Sequence, residues 1–264
     1  SLSCFKAYDI RGKVPEELNE DLAYKIGCAF VAELGAKSVV IGYDIRLESE
    51  GLADALKHGL LDSGARVIDI GLCGTEEVYF NTFFREADGG IMITASHNPK
   101  GYNGMKLVGK GAKPISGDSG LKAIEQRVVE SVGELEILRD AQDDSQTFGS
   151  ETFVSRKDDY IAHLLSYVDA SALKPLKLAM DSGNGSAGAV IRQIAEHLPF
   201  ECVFVNETPD GNFPNGVPNP LLPEMRSITA QAVKENGADF GIAWDGDFDR
   251  CFLFDENGEF IEGY

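Results

Sequence analysis

Short runs of apolar, β-branched residues alternate along this chain with stretches whose apolar side chains recur at helical spacing, and that alternation restricts the fold to an α/β architecture. Val39-Val40-Ile41 opens a strand over 39–43, after which Leu52, Ala55, Leu56, Gly59 and Leu60 fall on one face of a helix. The same reading gives strands over 66–70, 89–94 and 104–108 and helices over 76–84 and 116–129. Strands this continuously apolar are covered on both faces, so helices are expected on either side of the sheet. The polar stretch Arg139-Asp140-Ala141-Gln142-Asp143-Asp144-Ser145-Gln146-Thr147 then breaks the pattern in the manner of a linker. Beyond it we expect a helix over 150–168, a strand over 176–180, a helix over 189–197 and a strand over 202–205. A proline-rich irregular segment over 208–223 follows, then a helix over 224–235, strands over 240–244 and 252–254, and a hairpin turn at Asn257-Gly258. The expected fold is α/β: two consecutive three-layer α/β/α domains, residues 1–148 and 149–257.

Charge and composition exclude several function classes. Twenty-four Lys and Arg against 43 Asp and Glu give a formal charge of −19, which repels a nucleic-acid backbone over most of the surface. No apolar run approaches the roughly 20 residues that span a bilayer, and Ser1-Leu2-Ser3-Cys4-Phe5-Lys6 lacks the basic-then-apolar order of a signal peptide. We therefore expect a cytoplasmic chain with neither a nucleic-acid nor a membrane partner. Cys4, Cys28, Cys73, Cys202 and Cys251 are scattered and never form C-x-x-C, so they read as reduced thiols.

Four constellations carry chemistry. Thr94-Ala95-Ser96-His97-Asn98-Pro99 stands where a buried strand ends, the position at which open α/β sheets leave a crevice. There Ser96 can serve as a nucleophile with His97 and Lys106 handling protons or charge, or the segment is a turn satisfying its own amides. Asp245, Asp247 and Asp249 alternate along a loop, so their carboxylates can meet at one point, where a hard divalent cation such as Mg²⁺ would relieve the repulsion. An EF-hand competes, with Glu256 at loop position twelve, but Arg250 occupies the position that needs glycine; an acidic solvated turn is the plainer alternative. Gly183, Gly185 and Gly188 satisfy G-x-G-x-x-G after a strand, which suits either a dinucleotide or close packing of helix on strand. Arg11, Arg46, Lys106 and Arg250 are cationic, and arginines near glycine turns could bind phosphate through their guanidinium forks, or each of the four could form an ion pair.

In order and spacing, Ala7-Tyr8-Asp9-Ile10-Arg11-Gly12, Thr94 to Pro99 followed by Tyr102-Asn103-Gly104-Met105-Lys106, Asp181-Ser182-Gly183-Asn184-Gly185 and Asp245-Gly246-Asp247-Phe248-Asp249-Arg250 resemble the bacterial α-D-phosphohexomutases. Thr75-Glu76-Glu77, Thr208-Pro209-Asp210-Gly211-Asn212-Phe213-Pro214 and Phe248 resemble the phosphomannomutase branch. The resemblance implies mixed sheets and an isomerase that moves a phosphoryl group between O6 and O1 of a hexose, from mannose 6-phosphate to mannose 1-phosphate, on the way to GDP-mannose. It implies a phosphoserine at Ser96, Mg²⁺ held by Asp245, Asp247, Asp249 and an oxygen on Ser96, and a hexose 1,6-bisphosphate as intermediate and activator. Lys106 and His97 would be the proton-handling and charge-stabilising partners of Ser96, while Arg11, Arg250, Asn98 and Lys106 would meet the substrate phosphate. The glycine run would belong to the second domain's fold and bind no dinucleotide. Members of the family have four domains, the third selecting the sugar and the fourth anchoring its phosphate. Residues 258–264 would be the stub of the third, and the rest of the third and fourth would be absent, leaving a truncated chain of little activity. The partner is a small phosphosugar; a phosphoglucomutase, a phosphoglucosamine mutase or a non-catalytic phosphosugar-binding fragment are the alternatives.

Overall fold

Alternate residues along the central strands of the first sheet face opposite ways, and each set meets its own layer of helix. In a computed structural model, which describes residues 2–131 and 149–263, the chain divides into two compact units. The first comprises Ser1–Tyr43, Glu48–Ala95 and Gly101–Ser155. Its elements run β1 (Ile10–Lys13), α1 (Glu20–Leu34), β2 (Ser38–Tyr43), α2 (Ser49–Asp62), β3 (Arg66–Leu72), α3 (Thr75–Phe84), β4 (Gly89–Ile93), β5 (Tyr102–Gly109), α4 (Leu121–Glu130) and β6 (Glu151–Phe153). The strands pair in the order β1-β5-β4-β2-β3-β6, with β4, β2, β3 and β6 mutually parallel and β5 antiparallel to both neighbours. Val39 and Ile41 point into a core with Ile26 and Phe30 of α1, Leu56 and Leu60 of α2 and Ile124 of α4. Val40 points the other way, toward Val78 of α3, Ile68 and Met92. Fully buried side chains such as Leu56 and Leu60 each contribute roughly 1.5–3 kcal/mol.

Two helix expectations are corrected here. Instead of one helix over 116–129, a 3₁₀ turn at Gly117–Ser119 precedes α4, because Gly120 takes φ 125° and breaks the helical path. Residues 151–153, expected as helix, form β6 on the edge of the first sheet: Val67 stands opposite Glu151 in parallel register, Val67 N–H donates to the Ser150 carbonyl at 2.8 Å and Val154 N–H to the Asp69 carbonyl at 2.8 Å. The helix expected over 150–168 is reduced to α5 (Asp158–Leu165), opened by Asp158 and Asp159 in its first turn. The predicted linker over 139–147 lies outside the described residues.

The second unit is Arg156–Tyr264 together with two short stretches, Asp44–Leu47 and Ser96–Lys100. Besides α5 it holds β7 (Lys177–Asp181), α6 (Gly188–Ala195), β8 (Glu201–Val205), α7 (Ser227–Asn236), β9 (Phe240–Trp244), β10 (Cys251–Phe254) and β11 (Phe260–Ile261). The order is β11-β10-β9-β7-β8, with β7 parallel to β8 and β9, and β10 antiparallel to β9 and β11. Leu178 and Met180 pack with Ile191 of α6 on one face, and Ala179 and Ala243 with Ala232 and Val233 of α7 on the other. A tight turn, with Asp255 N–H bonded to the Glu259 carbonyl at 2.9 Å and Gly258 at φ 71°, folds β11 back onto β10. Part of the 258–264 segment, expected to open a further domain, thus supplies the edge strand of this sheet. No helix among the described residues is long and apolar enough to cross a membrane.

Candidate active site

Because β7 and β9 are adjacent and parallel, the segments that leave their carboxyl ends emerge side by side. The segment after β9 is Asp245-Gly246-Asp247-Phe248-Asp249-Arg250, which reverses into β10. Phe248 N–H closes the turn on the Asp245 carbonyl at 3.1 Å, with Phe248 at φ 42°, and Arg250 N–H reaches Asp245 Oδ1 at 3.3 Å. The turn brings one carboxylate oxygen from each of Asp245, Asp247 and Asp249 within 4.8 Å of the others. Asp245 and Asp247 are buried, at 1% and 0% exposure.

At 4.8 Å, two carboxylates repel by roughly 3.5 kcal/mol at an effective dielectric of about 20. Burial, and then Asp247 and Asp249, push the Asp245 acid up from 3.8 to about 7, against the opposing effects of a Ser96 hydrogen bond and Arg250. Arg250 Nε lies 3.9 Å from both Asp245 and Asp249. At that range the half-exposed guanidinium offsets part of the carboxylate charge. Three convergent hard oxygen donors, two of them in a dry setting, fit a hard divalent cation such as Mg²⁺. The flanks are strands, so the EF-hand alternative is excluded.

Ser96 faces this cluster. It stands three residues past β4 at φ 49°, a left-handed conformation that costs a non-glycine residue about 1–3 kcal/mol and persists only where neighbours enforce it. Its hydroxyl is buried and donates to Asp245 Oδ2 at 2.8 Å, with His97 Nδ1 3.2 Å from Ser96 Oγ. His97 Nδ1 is also 4.0 Å from Asp245 Oδ2. Two features enforce the conformation. The Ser96 carbonyl lies 2.8 Å from where a Cβ on Gly246 would be, so the carboxylate turn can press against the serine only because residue 246 has no side chain. On another side Arg46, 4% exposed, donates from Nη2 to the carbonyls of Ser96 at 2.8 Å and Asn98 at 2.6 Å, and from Nη1 to Pro99 at 3.0 Å. The suggestion that Arg46 offers its fork to phosphate is therefore corrected: the fork is occupied by backbone oxygens.

The glycine run after β7 takes its meaning from the same stack. Ser186 N–H donates to the Gly246 carbonyl at 3.0 Å, and a Cβ on Gly185 would lie 2.9 Å from that oxygen. In a dinucleotide fold the second glycine leaves room for the pyrophosphate; here that room is filled by Gly246. Gly188 is forced by the Glu207 carbonyl, against which any Cβ would collide. Asp181 secures the turn, accepting from Gly183 N–H at 2.9 Å and from the Thr229 hydroxyl at 2.8 Å, and burial pushes its acid upward.

Ser96, His97, Asp245, Asp247, Asp249 and Arg250 are thus brought together within the second unit, whereas the Asn98 carbonyl is taken up by Arg46. Arg11 and Lys106 belong to the first unit: Arg11 on β1, ion-paired with Asp9 at 2.6 Å, and Lys106 on β5 opposite Met92. Sequence reasoning missed the parts played by Gly246 and by Arg46 as a backbone anchor. The signal for Gly246 was its place between two acids that must converge, whereas nothing local in Tyr43-Asp44-Ile45-Arg46 announces a buried guanidinium.

Sequence models of two domains, described as "Phosphoglucomutase/phosphomannomutase, alpha/beta/alpha domain I" and "domain II", match residues 3–132 and 158–258. The chain belongs to the phosphoglucomutase/phosphomannomutase family. Among curated relatives, a protein of Xanthomonas campestris named "Phosphohexose mutases" is 59% identical over 264 residues, covering 100% of this chain and 57% of that protein. A "Phosphomannomutase" of Escherichia coli is 53% identical over 272 residues, again 100% of this chain and 57% of the relative. The crystal structure of a phosphoglucomutase/phosphomannomutase family protein from Burkholderia thailandensis superposes with a TM-score of 0.87 at 34% identity, over 99% of this chain and 56% of that one. This phosphohexomutase-family chain therefore spans a little under three-fifths of the relatives' length, and its two matched domains are the first and second of the family.

Proposed function

We propose that this chain carries the phosphoserine and cation-binding part of a phosphohexomutase that exchanges a phosphoryl group between O6 and O1 of a hexose, with mannose phosphates as the substrate. The observation that carries the reading is the Ser96 hydroxyl 2.8 Å from Asp245, against three convergent carboxylates. A serine hydroxyl set beside three convergent carboxylates suits chemistry in which a strongly anionic group arrives together with a cation. Asp245, Asp247 and Asp249 would hold Mg²⁺, which when bound offsets the charge on phosphoryl oxygens.

In the resting enzyme Ser96 is esterified. The sugar's O1 hydroxyl takes the phosphoryl group as the P–Oγ bond breaks, its proton ends on Ser96 Oγ, and a hexose 1,6-bisphosphate results. After the bisphosphate turns round, Oγ attacks the phosphorus at O6, the P–O6 bond breaks, O6 receives the proton and phosphoserine is restored. His97 Nδ1, 3.2 Å from Oγ, is placed to carry that proton. The backbone holds Oγ in position before reaction, which is the largest service a protein renders to phosphoryl transfer. Arg250 supplies positive charge at the rim of the cluster. The parts the resemblance gives to Arg11, Lys106 and Asn98 are included in the same reading.

The test is intact-mass analysis of the chain after exposure to a hexose 1,6-bisphosphate and Mg²⁺. One phosphate should appear, and Ser96→Ala should abolish it; a phosphate that persists in Ser96→Ala refutes the nucleophile. The chain spans 57% of its relatives, and we propose that these 264 residues alone convert mannose 1-phosphate only slowly. A coupled assay giving robust turnover would refute that part while leaving the serine assignment intact.

A further inference from the structure

Arg46 sits fifty residues before the serine it touches, and Asp44 and Phe213 hold it in place. Asp44 lies 3.5 Å from its Nε, and the buried ring of Phe213 lies beneath the guanidinium at 5.7 Å. Phe213 is itself fixed at φ 45° by its N–H on the Asp210 carbonyl at 2.9 Å, and Asp210 N–H is tied to the Asn184 carbonyl at 2.9 Å. Between them Gly211 packs flush on the Ile45 carbonyl, leaving no room for a Cβ. The otherwise irregular Asp210-Gly211-Asn212-Phe213 segment thus forms a bed for the arginine, and the arginine forms a bed for the serine loop.

We infer that Arg46 is a positioning residue for phosphoryl transfer at Ser96, gripping the carbonyls of residues 96, 98 and 99 so that the left-handed Ser96 keeps its Oγ aimed at the carboxylate cluster, with Phe213 seating the grip. This role rests on the phosphohexomutase reading given above. A carbonyl pinned by a charged donor on one side and by Gly246 on the other cannot rotate, so the peptide cannot relax to the extended region where a non-glycine residue is at ease. Lysine cannot replace this function: its compact ammonium lacks the planar fork that spans three carbonyls at once. A displacement of about 1 Å at a reacting atom costs on the order of 100-fold in rate.

The experiment compares the wild-type chain with Arg46→Lys and Phe213→Leu by three readouts: the rate at which a hexose 1,6-bisphosphate with Mg²⁺ phosphorylates Ser96, the affinity for Mn²⁺, and amide hydrogen exchange. Arg46→Lys should slow phosphorylation about 10- to 100-fold, keep Mn²⁺ affinity within about twofold and raise exchange only in the peptide spanning 94–101. Phe213→Leu, which retains the arginine, should slow phosphorylation by about two- to fivefold, the worth of a cation–π contact. Wild-type rates in both variants overturn the positioning role. So does a loss accompanied by weakened Mn²⁺ binding or by faster exchange throughout Arg156–Tyr264, because Arg46 would then support the fold at large. A wild-type chain that takes no phosphate sinks the phosphohexomutase reading and this role with it, a pattern distinct from the other two.

Discussion

Gly246→Ala isolates the contact between the two functional loops. The new methyl would lie 2.8 Å from the Ser96 carbonyl oxygen, against an ordinary contact of at least 3.4 Å, so the loops must separate by about 0.6 Å. The carboxylate turn cannot back away freely, since its Gly246 carbonyl is tied to Ser186 N–H at 3.0 Å. Arg46 holds the serine carbonyl from its own side at 2.8 Å. The separation therefore falls on the Ser96 Oγ to Asp245 bond, lengthening it from 2.8 Å past the roughly 3.0 Å limit of a good O–H···O hydrogen bond. Gly246 has no positive φ, so backbone conformation adds nothing to the cost. Overpacking of this kind costs about 1–3 kcal/mol, and misplacing the nucleophile by half an ångström or more should cost about 10-fold or more in rate. Thermal unfolding and the rate of Ser96 phosphorylation by a hexose 1,6-bisphosphate measure the two effects. A Gly246→Ala chain with wild-type melting temperature and wild-type rate would refute the argument, because it would mean that the loops have slack to absorb a methyl group.

Asp247→Asn should weaken Mn²⁺ binding by at least about 10-fold, measured by calorimetric titration, because the cluster loses one of three charges. Without a divalent cation, stability should fall as pH rises from about 4 to about 7: the folded Asp245 acid at about 7 binds its proton more tightly than the unfolded one at 3.8, so the native state carries the extra proton through that window. The full effect corresponds to roughly 4 kcal/mol at about 1.36 kcal/mol per pH unit, and denaturant unfolding in EDTA should show a flatter profile for Asp245→Asn than for wild type. Gly188→Ala, whose methyl meets the Glu207 carbonyl, should destabilise the chain by about 1–3 kcal/mol in urea unfolding while leaving Mn²⁺ affinity unchanged.

What the sequence disclosed follows from how local its signals are. The strands expected over 39–43, 89–94 and 176–180 are legible because burial on both faces makes them mostly apolar runs, and β2, β4 and β7 stand there within a residue. The acidic loop is legible because alternation along six residues puts like charges close together whatever the tertiary setting. Glu151-Thr152-Phe153 reads as helix because its strand exists only by pairing with β3, some eighty residues earlier. Helix α1 escapes a reading by apolar period although Asn19 caps it, accepting from Leu22 N–H at 3.0 Å, and Gly35 closes it at φ 59°. The glycine run shows the reverse case: one spacing serves two purposes, and only the surface lying on Gly185 decides between them. Arg46 is the furthest from legibility, since its partners at 96, 98, 99 and 213 are distant in the chain.

The grouping of Asp44–Leu47 and Ser96–Lys100 with Arg156–Tyr264 has a practical corollary for anyone dissecting this protein. Scissors placed between the halves would sever a gear from its axle: a piece starting at Arg156 would keep every acid but forfeit the hydroxyl they face, and would bare Phe213 where the guanidinium had covered it.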